Sequence, residues 1–390
     1  MVRTNPILDA LEEYAIVRIE NEKAKLKAAG KTVFDFGTGD PIEPTPPFIR
    51  EALQGSVPEV SQYPTVKGAL DLRKAAAGYM KRRFGVELDP ETEILPTGGS
   101  KEAIFLLPLA FLDARSTRNV VVSPAPGYTV YERGTRFAGG EVHEVALSRE
   151  NGFVIEPASL PKPVAARTAI FWANYPHNPT GALAPDDHFE RLAAYAREKE
   201  VLVCSDECYV DIWASKRPRS LLEFGSRGDA RYENVLAFHS CSKRSGMTGY
   251  RTGFVAGDRK AIAALSRFRP NVGVASPIWT QRAATAAWAD DAHSEERRKV
   301  FNTKRALVTA FLREVGLELE GGDATFFLWV RVPKGAGTDE EYGRRLLEHG
   351  IVTIPGSYFG KGGAGFIRLA LVPDLETCRK AMEVWRRALR

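Results

Sequence analysis

The feature that most constrains this chain is a series of short, almost unbroken apolar runs separated by stretches of helical length. Residues 120–123, 141–145, 169–172 and 201–205 read as strands, and so do the runs 235–238 and 254–256. Helices are expected at 103–112, 129–138 and 187–198. A strand with one wet face alternates apolar and polar residues, whereas a run apolar throughout needs cover on both faces. The pattern therefore predicts an α/β fold, a mostly parallel sheet flanked by helices. In such sheets the ligand lies in the loops beyond the carboxyl ends of the strands. Gly99-Ser100, Tyr128, Asn178, Asp206 and Lys243 all fall after strands or beside Gly/Pro loops.

From about residue 285 the texture changes. A charged helix at 295–312 leads to strands at 325–332, 351–354 and 366–371, with helices at 339–348 and 375–389. This reads as a smaller α+β domain. With 390 residues there is chain enough for two cores. We expect a large domain over 46–284 and a small one from 1–45 and 285–390. The N-terminal part predicts a helix over 7–29, with an apolar stripe through Ile7, Leu11, Tyr14 and Ala15 and a stop at Gly30. A strand at 33–36 then runs into Gly37-Thr38-Gly39-Asp40-Pro41, where Gly39 lets backbone come close to another group.

Charge and cysteine usage exclude some classes. The net charge of +5 comes without a long basic block, so nucleic-acid binding is not implied, although anionic substrates are compatible with it. Cys204, Cys208, Cys241 and Cys378 lack zinc-like pairing, so no metal is expected and the thiols read as reduced. The first residues lack the apolar core of a signal peptide, and no apolar run approaches the roughly 20 residues that span a bilayer. A cytoplasmic enzyme with no membrane partner is the expectation.

Chemistry concentrates between Phe238 and Asp258. Lys243 sits among Ser240, Ser242 and Ser245 in what reads as an irregular loop between two strands, with Arg251 further on. A lysine so placed can form a Schiff base with a carbonyl compound. Hydroxyls and a guanidinium suit a phosphate. Together they suggest pyridoxal 5'-phosphate, an aldehyde with a phosphate handle. That cofactor needs an acid near its pyridine nitrogen, for which Asp206 is the candidate. Asn178 and Tyr209 can donate to its ring oxygen, and Tyr128 can cover its face. Ser240, Ser242, Arg251 and the helix start at Gly99, Ser100 and Lys101 can hold the phosphate. Arg368 can clamp a substrate carboxylate. Taken singly, each has a plainer role: a surface loop, a helix cap, a turn aspartate, a surface arginine.

The ensemble resembles the fold type I, class I/II PLP-dependent aminotransferases over nearly the whole chain. The motifs follow in that family's order: Gly39 in GDP, Tyr63, GGSK at 98–101, Tyr128 in PGY, NPTG at 178–181, SDE-x-Y at 205–209, S-x-SK at 240–243, Arg251 and Arg368. The resemblance implies that Lys243 holds the cofactor covalently and then shuttles a proton. It implies that Asp206 pairs with the pyridinium, that Asn178 and Tyr209 contact the ring oxygen, and that Tyr128 stacks. Gly39, Asn178 and Arg368 would bind substrate. Tyr63 would reach the phosphate in a neighbouring subunit, so a homodimer with shared sites is implied. Amino acids and 2-keto acids are the implied substrates, exchanged in a ping-pong cycle.

The wording SKRS at 242–245 is most similar to N-succinyl-diaminopimelate aminotransferases of lysine biosynthesis, although Gly246-Met247-Thr248-Gly249 departs from it. LL-diaminopimelate, aspartate, alanine, aromatic and methionine aminotransferases stay open, as does a carbon–sulfur lyase. A PLP-sensing regulator would carry an added DNA-binding module, and a nicotinamide oxidoreductase would show a glycine fingerprint. For a distal anion site, Lys67, Arg244 and Arg18 are candidate cations.

Overall fold

The computed structural model describes residues 2–9, 11, 15–225 and 231–389. The expected helix at 7–29 is described as two pieces, Pro6–Asp9 and Ala15–Ala28; Tyr14 lies outside the described residues. Strand β1 is Phe34–Asp35. The central sheet is built from β2 (Ile94–Thr97), β3 (Val120–Ala125), β4 (Glu141–Ala146), β5 (Thr168–Asn174), β6 (Leu202–Asp206), β7 (Val235–Ser240) and β8 (Gly253–Gly257). Its order is β2-β8-β7-β6-β5-β3-β4, parallel except that β8 runs against both neighbours. The expected α/β architecture is what the chain adopts.

Alternation along each strand sorts the core into two layers. Val122, Phe171, Ala173, Val203, Val235 and Ala237 meet the helices Leu70–Phe84, Asp186–Lys199 and Ile278–Ala289. Val121, Ile170, Trp172, Cys204, Leu236 and Phe238 point the other way, toward Ser100–Phe111, Val130–Phe137 and Arg259–Phe268. Both faces are dry, which is why these strands show no polar alternation. Each large side chain so buried contributes about 1.5–3 kcal/mol.

A third cluster joins Phe34 and Phe36 to Phe301, Phe311, Phe327, Ile367 and Trp385. Here β9 (Leu319–Glu320), β10 (Phe327–Arg331), β12 (Ile354–Pro355) and β13 (Phe366–Ala370) form an antiparallel sheet in the order β12-β13-β10-β9. The expected strand at 351–354 divides. Its first part, β11 (Ile351–Val352), pairs in parallel with β1, and only its end joins the antiparallel sheet. An apolar run does not reveal that it changes partners. The expected boundary at 284 falls inside the helix Ile278–Ala289, whose Ala287 and Trp288 pack in the first cluster. We propose that the division between domains follows that helix.

Among the described residues no helix is long and apolar enough to cross a membrane. All four cysteines are free.

Candidate active site

Strands β5, β6 and β7 lie successively on one side of β3, whereas β4 lies on the other. The direction of winding thus reverses between β3 and β5, and the carboxyl ends there diverge to leave a crevice. Register aligns Asn174 with Asp206 and Asp206 with Phe238, so β5 and β6 finish level and β7 runs two residues further, to Ser240. Cis Ala125-Pro126, Tyr175-Pro176 and Asn178-Pro179 bonds lie in the turns that follow β3 and β5. The crevice opens into a cavity of about 1350 Å³.

Of the expected site residues, Gly39, Ser100, Lys101, Tyr128, Asn178, Asp206, Tyr209, Ser240, Ser242, Lys243, Arg251 and Arg368 line this one cavity. Gly99 stands behind it. Its φ of +91° suits glycine, and a β-carbon there would come within 2.7 Å of Arg251 Nη2. Tyr63 is not in the lining and is 94% exposed.

Lys243 does not sit in an irregular loop. It belongs to a short helix, Cys241–Arg244, capped by Ser240, whose hydroxyl accepts from Ser242 N at 3.1 Å. One turn lies below the length at which periodicity shows in sequence. The Lys243 Nζ donates to the Gly39 carbonyl and lies 5.6 Å from the Phe326 ring centre. Burial pushes its pKa down to about 8, against an upward pull from Asp40. About a tenth of the amine is therefore neutral at pH 7, far more than for an ordinary lysine, and the neutral form is the nucleophile.

Asp206 is buried at the end of β6 and held from two sides. Tyr131 Oη donates to Oδ2 at 2.8 Å and Cys208 N to Oδ1 at 3.2 Å. Burial raises its pKa in spite of these donors. A buried carboxylate of this kind favours a cationic partner. Asn174 Nδ2 donates to the Asp206 carbonyl at 2.9 Å, and Asn174 Oδ1 accepts from Asn178 N at 2.9 Å. Arg368, central in its sheet on β13, donates to Asn178 Oδ1 at 3.1 Å and to the Gly37 carbonyl at 3.0 Å. Its guanidinium lies over Phe327 and Phe359, 4.2 and 4.7 Å from their ring centres.

At the other end, the helix Ser100–Phe111 directs its first N–H groups toward the cavity beside Lys101, Arg133 and Arg251. Burial and then the charges of Arg133 and Arg251 lower the Lys101 pKa. Cations crowded at a helix N-terminus fit an anion such as phosphate. Tyr131, Asn174 and Arg133 are site residues that sequence reasoning missed. The available signals were spacing: Tyr131 is one turn beyond Tyr128, and Asn174 is one turn's length before Asn178.

The distal cation candidates fare differently. Arg244 faces away from the cavity. It pairs with Asp211 at 2.9 Å and Asp291 at 2.6 Å, and lies over Tyr79 and Trp288. Ser245 likewise turns to His293 Nε2, at 2.9 Å. Lys67 is exposed and outside the lining. The Arg18 side chain lies outside the described residues. The Asp211 cluster also takes Arg83 at 3.0 Å and the Tyr79 hydroxyl at 2.9 Å. Asp211→Ala is expected to destabilise the protein by about 3–5 kcal/mol, because it strands buried guanidinium groups. The midpoint of urea unfolding measures this.

The family "Aminotransferase class I and II" matches residues 31–384. The LL-diaminopimelate aminotransferase of Syntrophobacter fumaroxidans is 39% identical over 384 residues, 97% of either chain. That of Aquifex aeolicus is 37% identical over 380 residues, 96% of either chain. Substrate-bound BacF from Bacillus subtilis superposes with a TM-score of 0.92 at 29% identity, covering 99% of this chain and 98% of its own. Thermus thermophilus aspartate aminotransferase with maleate gives 0.89 at 28% identity, with full coverage of both chains.

Proposed function

Because this chain belongs to the class I and II aminotransferases, and is a pyridoxal-phosphate-dependent transaminase, we propose that it takes LL-diaminopimelate as amino donor in lysine biosynthesis. The observation that carries this reading is the size and continuity of the cavity. Its volume of about 1350 Å³ has to hold the cofactor together with the donor. It runs from Lys243 and Arg368 to a mouth lined by Glu132, Arg136, Glu144 and Lys361. Such a space takes a long donor with charges at both ends. The names of the full-length relatives support the same substrate. The SKRS wording that suggested the N-succinyl derivative rests on Arg244 and Ser245, which engage Asp211 and His293 instead of the cavity.

The residues present fit pyridoxal phosphate. Gly99, Ser100, Lys101, Ser240, Ser242 and Arg251 are assigned to its phosphate, Asp206 to its pyridinium, Asn178 and Tyr209 to its ring oxygen, and Tyr128 to its face. Bound there, the cofactor supplies an electron sink for the bond broken at the substrate α-carbon. Lys243 Nζ takes that α-proton and returns it, a task suited to an amine whose pKa is about 8. Arg368 holds the α-carboxylate, with Asn178 fixing the guanidinium. The same clamp serves the keto acid, which shares that carboxylate. Tyr63 is assigned to the site of a second subunit. Its near-complete exposure, with Val57 and Val60 exposed nearby, supports a homodimer.

Arg368→Lys keeps the charge but loses the planar fork. With hydrogen bonds to charged groups worth about 1.5–3 kcal/mol, kcat/KM should fall on the order of 10- to 100-fold.

The donor assignment is tested by following the cofactor's absorbance in half-reactions of the holoenzyme. LL-diaminopimelate, its N-succinyl derivative, glutamate, aspartate, alanine and phenylalanine are compared. The reading expects LL-diaminopimelate to give the highest kcat/KM. A clear preference for the N-succinyl derivative, alanine or phenylalanine would overturn it. Turnover that needs no keto acid would instead mark a lyase.

A further inference from the structure

Glu144 and Lys361 both line the cavity, near enough for the ammonium to act on the carboxylate, and come from different parts of the chain. Glu144 lies on β4, at the edge of the central sheet, and Lys361 follows the turn Gly356–Phe359 of the smaller sheet. The turn after β3, the strand that pairs with β4, is tied to the second segment, since Gly127 N donates to the Phe359 carbonyl at 2.9 Å. Glu144 is half-buried, yet among the described residues its carboxylate has no hydrogen-bond or ion-pair partner. Lys361 is exposed and likewise has no carboxylate within ion-pair distance there. The neighbouring opposite charges, Glu132 and Arg136, are already spent on each other at 2.6 Å. Burial, and then Glu132, raise the Glu144 pKa, with Lys361 and then Arg136 offsetting them only in part. The wall thus holds a carboxylate and an ammonium that influence one another but do not pair.

A run of contacts links the α-carboxylate clamp to this gap. Arg368 lies 4.7 Å from the Phe359 ring centre, Gly360 is the next residue, and a β-carbon on Gly360 would be 3.5 Å from Glu144 Oε1. In LL-diaminopimelate four bonds separate the two nitrogen-bearing carbons, or roughly 5 Å at about 1.2 Å per bond of extended chain. The distal end of that molecule is itself a zwitterion.

We propose that the Glu144–Lys361 gap is the subsite for the distal end of a diamino dicarboxylic donor, Glu144 taking its ammonium and Lys361 its carboxylate. This rests on the diaminopimelate reading and adds to it the residues that select the donor. It also gives a reason for discrimination. The N-succinyl derivative has no distal ammonium, so it leaves Glu144 desolvated beside added negative charge, an unfavourable contact.

The test uses donors that differ by one charged group. 2-Aminopimelate lacks the distal ammonium, and lysine lacks the distal carboxylate. With the holoenzyme, Glu144→Gln should lower the ratio of kcat/KM for LL-diaminopimelate over 2-aminopimelate about tenfold, the scale of one hydrogen bond to a charged group. Lys361→Gln should lower the ratio of LL-diaminopimelate over lysine by a similar factor. Glu144→Asp, which keeps the charge, should retain most of the first ratio. Ratios unchanged in both Gln variants would overturn the subsite. The donor assignment fails separately, by absence of wild-type turnover with LL-diaminopimelate. In that event Glu144→Gln is read on lysine against norleucine, which differ only in the distal ammonium. An unchanged ratio there overturns the subsite too, and a tenfold fall upholds Glu144 as the group that takes a distal ammonium.

Discussion

Lys243→Ala is expected to abolish turnover and to leave a protein that binds pyridoxal phosphate only reversibly. The short helix Cys241–Arg244 presents this amine to the cavity in a buried setting that brings its pKa to about 8. Loss of a positioned acid–base group alone costs about 10²–10⁴ in rate. Here the covalent hold on the cofactor goes as well, so the fall should exceed that range. The fold should survive, because the helix is anchored by Arg244 and by the Ser240 cap rather than by Lys243. The pH dependence follows from the same amine. Covalent uptake of cofactor by the apo-protein requires neutral Nζ, so its rate should rise with pH through about 8 and level off above. Removing the Asp40 charge, which holds the pKa up, should move that midpoint to lower pH. Stopped-flow absorbance measures both. Wild-type turnover in Lys243→Ala would remove this residue from the chemistry.

Asp206→Ala is the second large effect. The carboxylate is buried at the end of β6, and the Tyr131 hydroxyl and Cys208 N–H fix its orientation. A charge preorganised in a dry site is worth about 10²–10³ in rate when removed. The loss should fall on kcat more than on cofactor affinity, since the residues proposed to hold the phosphate, around Ser100 and Arg251, lie elsewhere. Tyr131→Phe should show a weaker form of the same defect, because it removes one of the two donors and leaves the carboxylate. Single-turnover rates separate the two effects. An Asp206→Ala protein with normal rates would make this a turn residue and no more.

How much of this was legible in the sequence follows from what kind of interaction each residue makes. The strands β3, β5, β6 and β7 were visible because burial on both faces leaves an apolar run with sharp ends. Asn178, Asp206, Tyr128 and Lys243 were visible because they stand at or just past those ends, where an α/β sheet places its ligand. Tyr131 was not, because its hydroxyl acts on Asp206 across a tertiary contact between residues far apart in the chain. Arg244 shows the opposite failure. Beside Lys243 it reads as a substrate cation, yet one residue along a helix turns the side chain by about 100°. It therefore meets Asp211 beneath the site. That turn is also why the SKRS wording says more about how the helix is seated than about the donor. Residues 351–354 changed sheets at Thr353, which apolar periodicity does not register. Tyr63 lies outside the cavity of its own chain, so its assignment depends on a second subunit.

The central claim is that one cavity at the carboxyl ends of β5, β6 and β7 holds pyridoxal phosphate on Lys243. Borohydride reduction of the holoenzyme, followed by proteolysis and mass mapping, tests it most directly. Lys101 and Lys361 line the same cavity and serve as internal controls. The expected result is a single reduced phosphopyridoxyl group on the peptide carrying Lys243. Its appearance on Lys101 or Lys361, or on no lysine at all, would contradict the account.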